Sequence, residues 1–156
     1  MIETKTMLPP VRKSIEVKAD TAKAFDVFVR GLETWWPLKT HTLAREANGE
    51  IGVSATIEPF VGGRVYETLN TGEERDWGVV CAYEEGRRVA FSWNMGRPAE
   101  QATEVEVTFT VLAGGGARID LEHRLWERMG VDAERMREGY NNGWEKVFVA
   151  GFGGAM

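Results

Sequence analysis

The stretch TEVEVTFTVLAGGGARIDLEHRLW, Thr103 to Trp126, decides the fold. Val105, Val107, Phe109 and Val111 alternate with Glu104, Glu106, Thr108 and Thr110. A period of two is the side-chain period of a strand, so one face is apolar and the other polar. Gly114-Gly115-Gly116 turns the chain, and Ala117 to Trp126 returns. On the return, Ala117, Ile119, Leu121, His123 and Leu125 share one face, while Arg118, Asp120, Glu122, Arg124 and Trp126 share the other. Two such strands joined by a short turn form an antiparallel hairpin, solvated on one side and in need of cover on the other.

Reading back from this hairpin, further strands are separated by turn residues. Arg87 to Asn94 follows Glu85-Gly86, Arg75 to Tyr83 follows Asn70-Thr71-Gly72, Arg64 to Leu69 follows Gly62-Gly63, and Val53 to Glu58 is closed by Pro59. Pro37 to Gly52 carries weak signals and reads as a loop with room for a short helical turn. Before it, Asp20 is a good N-cap, and Phe25, Phe28, Val29 and Leu32 recur at helical spacing. The spacing predicts a short helix from Thr21 to Val29 or a little beyond, ended by Trp36-Pro37. Val11 to Lys18 alternates as a first strand, and residues 1–10, closing in Pro9-Pro10, read as a flexible lead.

Reading forward, Ala133, Met136, Tyr140, Trp144, Val147 and Phe148 form one helical stripe. A helix from Asp132 to Ala150 is roughly 28 Å long at 1.5 Å per residue. Gly139 and Gly143 lie inside it, at about 1 kcal/mol each in helix propensity. A glycine there serves either a close approach or open space beside the helix. The expected architecture is α+β: a curved antiparallel sheet of six to seven strands wrapped around a long C-terminal helix, with a short helical segment after the first strand. Residues 11–156 form a single domain.

Composition narrows the function classes. The net charge of −5 argues against nucleic acid, because phosphate contacts need a basic face. The single cysteine, Cys81, rules out an internal disulfide and fits a cytoplasmic setting; its apolar mid-strand context reads as a core thiol. The first residues hold no apolar signal-type segment, and no run is long and apolar enough to span a membrane.

Several segments carry a family likeness. They are Ser14-Ile15-Glu16-Val17, Trp35-Trp36-Pro37, Gly62-Gly63-Arg64-Val65-Tyr66-Glu67, Asp76-Trp77-Gly78-Val79-Val80 and Arg87-Arg88-Val89-Ala90-Phe91-Ser92-Trp93. Thr103-Glu104-Val105, Leu121-Glu122-His123-Arg124 and Tyr140-Asn141-Asn142-Gly143-Trp144 complete the set. In this order the chain resembles the START-like superfamily, also called SRPBCC or helix-grip, in the branch related to the C-terminal domain of activators of the heat-shock-protein-90 ATPase. The resemblance implies a cavity between sheet and helix. Members bind lipids, sterols, polyketides and hormones, some are cyclases or hydrolases, and fold alone does not choose among them.

The aromatics mark the candidate site. Trp93 alternates with Val89 and Phe91 and faces inward; Met136, Tyr140 and Trp144 lie on the helix stripe; Trp35 and Trp36 close the first helical region, where this superfamily has its cavity mouth. Trp77 is ambiguous, since Gly78, Val80 and Ala82 are an equally good inward set. Glu67 shares a face with Val65 and Leu69, and if inward it needs a partner such as Tyr140 or His123. His123 points away from its charged neighbours. It is either a core histidine bonded to a nearby polar group, or a ligand contact or general base. His41 stands alone in the loop, and neither it nor Cys81 has metal-ligand spacing, so no metal and no cofactor are expected.

The leading expectation is a binder of a small apolar, amphipathic or aromatic molecule. The second is a cyclase, dehydratase or hydrolase using His123, Glu67 and Tyr140 in the same cavity. The third is a co-chaperone-like interaction module, which needs an apolar or strongly charged outer patch with a chaperone as partner. No nucleic acid and no membrane span are expected, and the sequence leaves the oligomeric state open.

Overall fold

A computed structural model describes residues 8–156. The expected lead over residues 1–7 lies outside the described residues; Leu8 packs against the core. Seven strands form one antiparallel sheet: β1 Val11–Val17, β2 Gly52–Ile57, β3 Arg64–Leu69, β4 Glu74–Glu84, β5 Arg88–Trp93, β6 Thr103–Val111 and β7 Ala117–Arg124. Their order is β1-β7-β6-β5-β4-β3-β2. Every turn from β2 to β7 therefore joins neighbours, and only β1 crosses to pair with the last strand. The sheet curls around the C-terminal helical segment, as expected. No helix among the described residues is long and apolar enough to cross a membrane.

The quoted hairpin folds as its alternation dictates. Val105, Val107, Ile119 and His123 are fully buried on the inner face, with Val105 opposite His123. On the outer face Arg124 pairs with Glu104, Glu106 and Glu122 at 2.7–3.0 Å. The charges beside His123 thus form a surface lattice. The hairpin departs from expectation at its end. Leu125 takes a left-handed conformation, φ 70°, so β7 stops at Arg124 and Leu125 leaves the inner face half-buried. The same turn swings Trp126 inward, where it is fully buried.

Helix α1, Thr21–Val29, is capped by Asp20, whose side chain accepts from the Lys23 amide at 2.8 Å. Its Phe25 and Phe28 meet Phe109 at ring distances of 5.1 and 6.0 Å. A second short helix, α2 Leu32–Trp35, follows after Gly31. The C-terminal helix differs from the expected single α-helix. Its α-helical part, α3, is Ala133–Trp144; Glu145–Phe152 then widens into a π-helix. The apolar stripe continues through Val147, Phe148 and Phe152, all buried, so the spacing alone does not reveal the change of pitch. Gly151 lets this segment press on α2, since a Cβ there would stand 3.4 Å from the Trp35 carbonyl oxygen.

β4 resolves the ambiguity of Trp77. Val65 pairs with Gly78, but Tyr66 pairs with Asp76, so β4 carries one extra residue. The bulge turns both Trp77 and Val80 inward and leaves Val79 and Cys81 exposed. Cys81 is therefore no core thiol: it sits on the outer face and donates to Glu104 at 3.1 Å.

Candidate functional site

The space between sheet and helix is mostly filled by indoles. Trp36 stands 4.8 Å from Trp77, 5.9 Å from Trp93 and 6.0 Å from Trp144 between ring centres. Among Phe28, Trp35, Trp77, Trp93 and Trp144 there remains a void of only about 10 Å³, no more than one water needs. The indoles at this depth are core.

The open space lies at one side of α3. A cleft of about 440 Å³ runs between α3 and the loop after α2. Its helix wall presents Met136, Gly139, Tyr140, Gly143, Trp144 and Val147; Trp36, Thr40, His41 and Thr42 form the loop wall, with Met95 and Arg135 at the sides. Of the residues expected from sequence, Trp36, Met136, Tyr140 and Trp144 line this cleft. Trp35, Glu67, Trp77, Trp93 and His123 stand behind it, and the polar groups among them are satisfied within the protein.

His123 shows this most clearly. The Trp144 indole N–H donates to its Nδ1 at 3.0 Å. An indole nitrogen can only donate, so Nδ1 carries the lone pair and Nε2 the proton. Nε2–H then donates to Thr103 Oγ1 at 2.6 Å, and that hydroxyl donates to the Trp93 carbonyl at 3.1 Å. Trp126 covers the ring at 4.1 Å and donates to the His123 carbonyl at 2.8 Å. The imidazole is thus a neutral, fully bonded core group; Tyr140 touches it only edge-on, at 5.0 Å.

Burial pushes the His123 pKa down from 6.5 to about 3. Between those values the unfolded chain takes up a proton that the folded chain refuses. The histidine's contribution is therefore complete above pH 6.5 and is lost as pH falls toward 3. From pH 7 to pH 5 the wild-type protein is expected to lose about 2 kcal/mol through this group. Denaturant midpoints at the two pH values measure it. His41, whose pKa burial and then Lys146 also lower, adds in the same direction. His123→Asn should therefore flatten the slope without abolishing it, and an unchanged slope would refute the assignment.

Glu67 has a different task from the expected one. It is fully buried, and its carboxyl accepts from the Leu43 amide, the Thr42 hydroxyl and, at 3.2 Å, the Trp77 indole. Opposite it across β3 and β4 lies Arg75, which donates to the Leu43 carbonyl at 2.6 Å and also holds Glu50. One residue of the loop, Leu43, is thus gripped at its N–H by one strand and at its carbonyl by the next. Trp36 Nε1 ties the His41 carbonyl at 2.8 Å. These bonds hold an otherwise irregular loop in place as the cleft's second wall. Gly52 leaves the room: a Cβ there would meet Glu67 and Thr42 at 2.8 Å.

The sequence did not single out Thr40, His41, Thr42, Met95 or Arg135 as site residues, because nothing local in a loop announces which cavity it borders. From sequence Gly139 and Gly143 lie inside the helix and serve either a close approach or open space. Residues 136, 139, 140, 143 and 147 share one helical face, and a Cβ at Gly139 or Gly143 would meet nothing within 4 Å. Neither has the left-handed backbone or close backbone contact that requires glycine.

Comparison with known proteins places this geometry. The family model described as Activator of Hsp90 ATPase homolog 1-like protein matches residues 18–152. Among solved structures, an anthrahydroquino-γ-pyrone synthase, Txn09, is 30% identical over 89% of this chain and 90% of that one, with a TM-score of 0.57. CalC from Micromonospora echinospora, a self-sacrificing resistance protein, is 30% identical over 92% and 91% of the two chains, TM-score 0.62. Aha1 from Colwellia psychrerythraea, solved as a dimer, shares the fold at 15% identity over 92% and 96%, TM-score 0.59. No curated protein matches.

Proposed function

The chain belongs to the Activator of Hsp90 ATPase homolog 1-like family, and from that premise we propose that the cleft beside α3 binds a small, flat, largely apolar molecule. The observation that carries this reading is the pair Gly139 and Gly143. Each weakens α3 by about 1 kcal/mol relative to alanine. Both open directly into a cleft of about 440 Å³, a size usual for small-molecule sites. Nothing in the packing demands them, so the space they leave is the feature that accounts for them. The walls suit a ring system: Trp36 and Trp144 offer faces and edges, and Met95 and Met136 adapt to irregular shapes. A relative at 30% identity is named for making a fused aromatic pyrone, which is consistent with such an occupant.

The glycines give the test. Gly139→Ala and Gly143→Ala are each expected to raise stability by about 0.5–1 kcal/mol. The bulkier Gly143→Leu should fill the cleft and weaken binding of naphthalene-sized aromatics at least tenfold, read by quenching of tryptophan emission. Unchanged affinity in Gly143→Leu would remove this site from consideration.

A second reading, the co-chaperone-like module, rests on Phe60, Val61 and Val79, all about half exposed or more at one end of the outer sheet face. The rest of that face is the ion-pair lattice around Arg124 and Arg88. A pull-down with the chaperone's middle domain tests this; loss of capture in Phe60→Ser would support it.

A further inference from the structure

We propose that the cleft holds an acid–base pair, His41 on the loop wall and Tyr140 on α3, and that its occupant is an aromatic ketone with an enolisable C–H. The proposal rests on the ligand-binding reading and deepens it. It also replaces the constellation of His123, Glu67 and Tyr140, two members of which are spent on the core.

His41 is held firmly. Its amide donates to the Pro37 carbonyl at 2.9 Å, its carbonyl accepts from Trp36 at 2.8 Å, and the next residue is tied to Glu67. On the ring, Nδ1 lies 2.8 Å from Thr40 Oγ1. The Thr40 hydroxyl has the Pro37 carbonyl as its acceptor, at 3.4 Å. In the proposed tautomer the Thr40 hydroxyl donates to Pro37 and its lone pair receives Nδ1–H. That leaves Nε2 as the basic nitrogen, without a protein partner among the described residues. Thr40 is thus a positioning residue that selects the tautomer.

Tyr140 is the complement. Its Oη accepts from the Trp93 indole at 3.1 Å. The indole can only donate, so the phenol keeps its own proton, which has no acceptor among the described residues. One cleft is therefore lined by a residue with a free lone pair and a residue with a free O–H. Burial, with Lys146 assisting, lowers the pKa of His41, so the ring is neutral at neutral pH; burial raises that of Tyr140, so the phenol stays protonated. Lys146 lies on the π-helical segment beside His41; Arg97 near Tyr140 and Arg135 on the cleft wall are both paired with Asp132, at 3.7 and 3.0 Å. Lys146 favours negative charge developing on an occupant.

This set of groups matches enolisation. His41 Nε2 takes a proton from a carbon next to a carbonyl. The C–H electron pair becomes the enolate double bond, and the carbonyl π pair moves to oxygen. Tyr140 donates its hydrogen bond to that oxygen. Return of the proton from the imidazolium closes the cycle, with no oxidant or second reactant consumed. The apolar walls and the glycine floor restrict the occupant to a flat ring system.

The probe is 2-tetralone, whose C1 hydrogens are both benzylic and next to the carbonyl. Exchange of those hydrogens in D₂O is followed by NMR, and binding by tryptophan quenching in the same samples. The expected result is saturable exchange at about 100-fold or more above buffer, rising with pH as His41 loses its proton. His41→Asn and His41→Gln should return exchange to background, and Tyr140→Phe should slow it at least tenfold with affinity changed only a few-fold. Thr40→Val should slow exchange and move the acid limb of the pH profile, which a merely structural threonine would not do. Binding without exchange, or exchange that survives both His41 variants, overturns the acid–base pair and leaves the binding reading standing. Absence of quenching overturns both.

Discussion

Gly78→Ala is expected to remove a large share of the protein's stability. The bulge in β4 brings the Gly78 backbone so close to β5 that a Cβ would stand 1.7 Å from the Ser92 carbonyl oxygen. That atom is backbone inside a sheet, so it cannot swing aside as a flexible side-chain tip would. Relief requires opening the β4–β5 ladder next to Trp77, which anchors the indole cluster. The penalty is on the order of 3–5 kcal/mol, a large share of a domain's stability. For a chain of this size that is a fall of roughly 10 °C in Tm. Gly139→Ala is the matched control: the same added methyl meets open space and should raise Tm. Thermal unfolding of both variants checks the pair. A Gly78→Ala protein within 1 °C of wild type would show that the bulge is placed wrongly.

Glu67→Ala is the second large expectation. Removing the carboxyl leaves the Leu43 amide, the Thr42 hydroxyl and the Trp77 indole without an acceptor. Buried donors left unpaired lose about 1–3 kcal/mol each, partly recovered by water entering at the loop, so a net loss of about 3–5 kcal/mol is expected. Glu67→Gln keeps the shape and one acceptor oxygen, and should lose about 1–2 kcal/mol. The change has a location as well as a size. Amide exchange over residues 40–44 should accelerate in Glu67→Ala far more than exchange in β6 or β7, because Arg75 alone then holds Leu43. Binding in the cleft should weaken along with it, although Glu67 does not line the cleft. A ligand-contacting role would instead weaken binding without loosening the loop.

Much of the fold was legible because alternation and helical spacing are local signals. Thr103 to Val111 has a single reading, and β1, β3 and β5 are nearly as plain. What the sequence hid were parity breaks. A bulge at Gly78 put Trp77 and Val80 on one face and turned Cys81 outward. The left-handed Leu125 did the same for Trp126. Each inserts half a strand period, and neither backbone event has a sequence signature beyond a glycine in one case.

The helix wall of the candidate cleft was legible in the sequence and its loop wall was not. Met136, Tyr140 and Trp144 lie on the stripe that spacing predicts and line the cleft, whereas Thr40, His41 and Thr42 reach it only through the grip of Glu67 and Arg75 on Leu43. His123 was read as facing inward and Glu67 was left open, and both drew attention as candidate chemistry. In the folded chain each has protein partners for its polar atoms, and that pairing depends on residues distant in sequence.

The proposed ligand site is the cleft between α3 and the loop at residues 36–42. The most direct measurement is an NMR titration of the ¹⁵N-labelled protein with 2-tetralone. Saturating shifts are expected at the Gly139 and Gly143 amides, the His41 amide and the Trp36 and Trp144 indoles. The Trp126 indole and the outer-face amides of β6 and β7 should stay in place. Shifts centred on the outer sheet face, or none up to the probe's solubility limit, would contradict it.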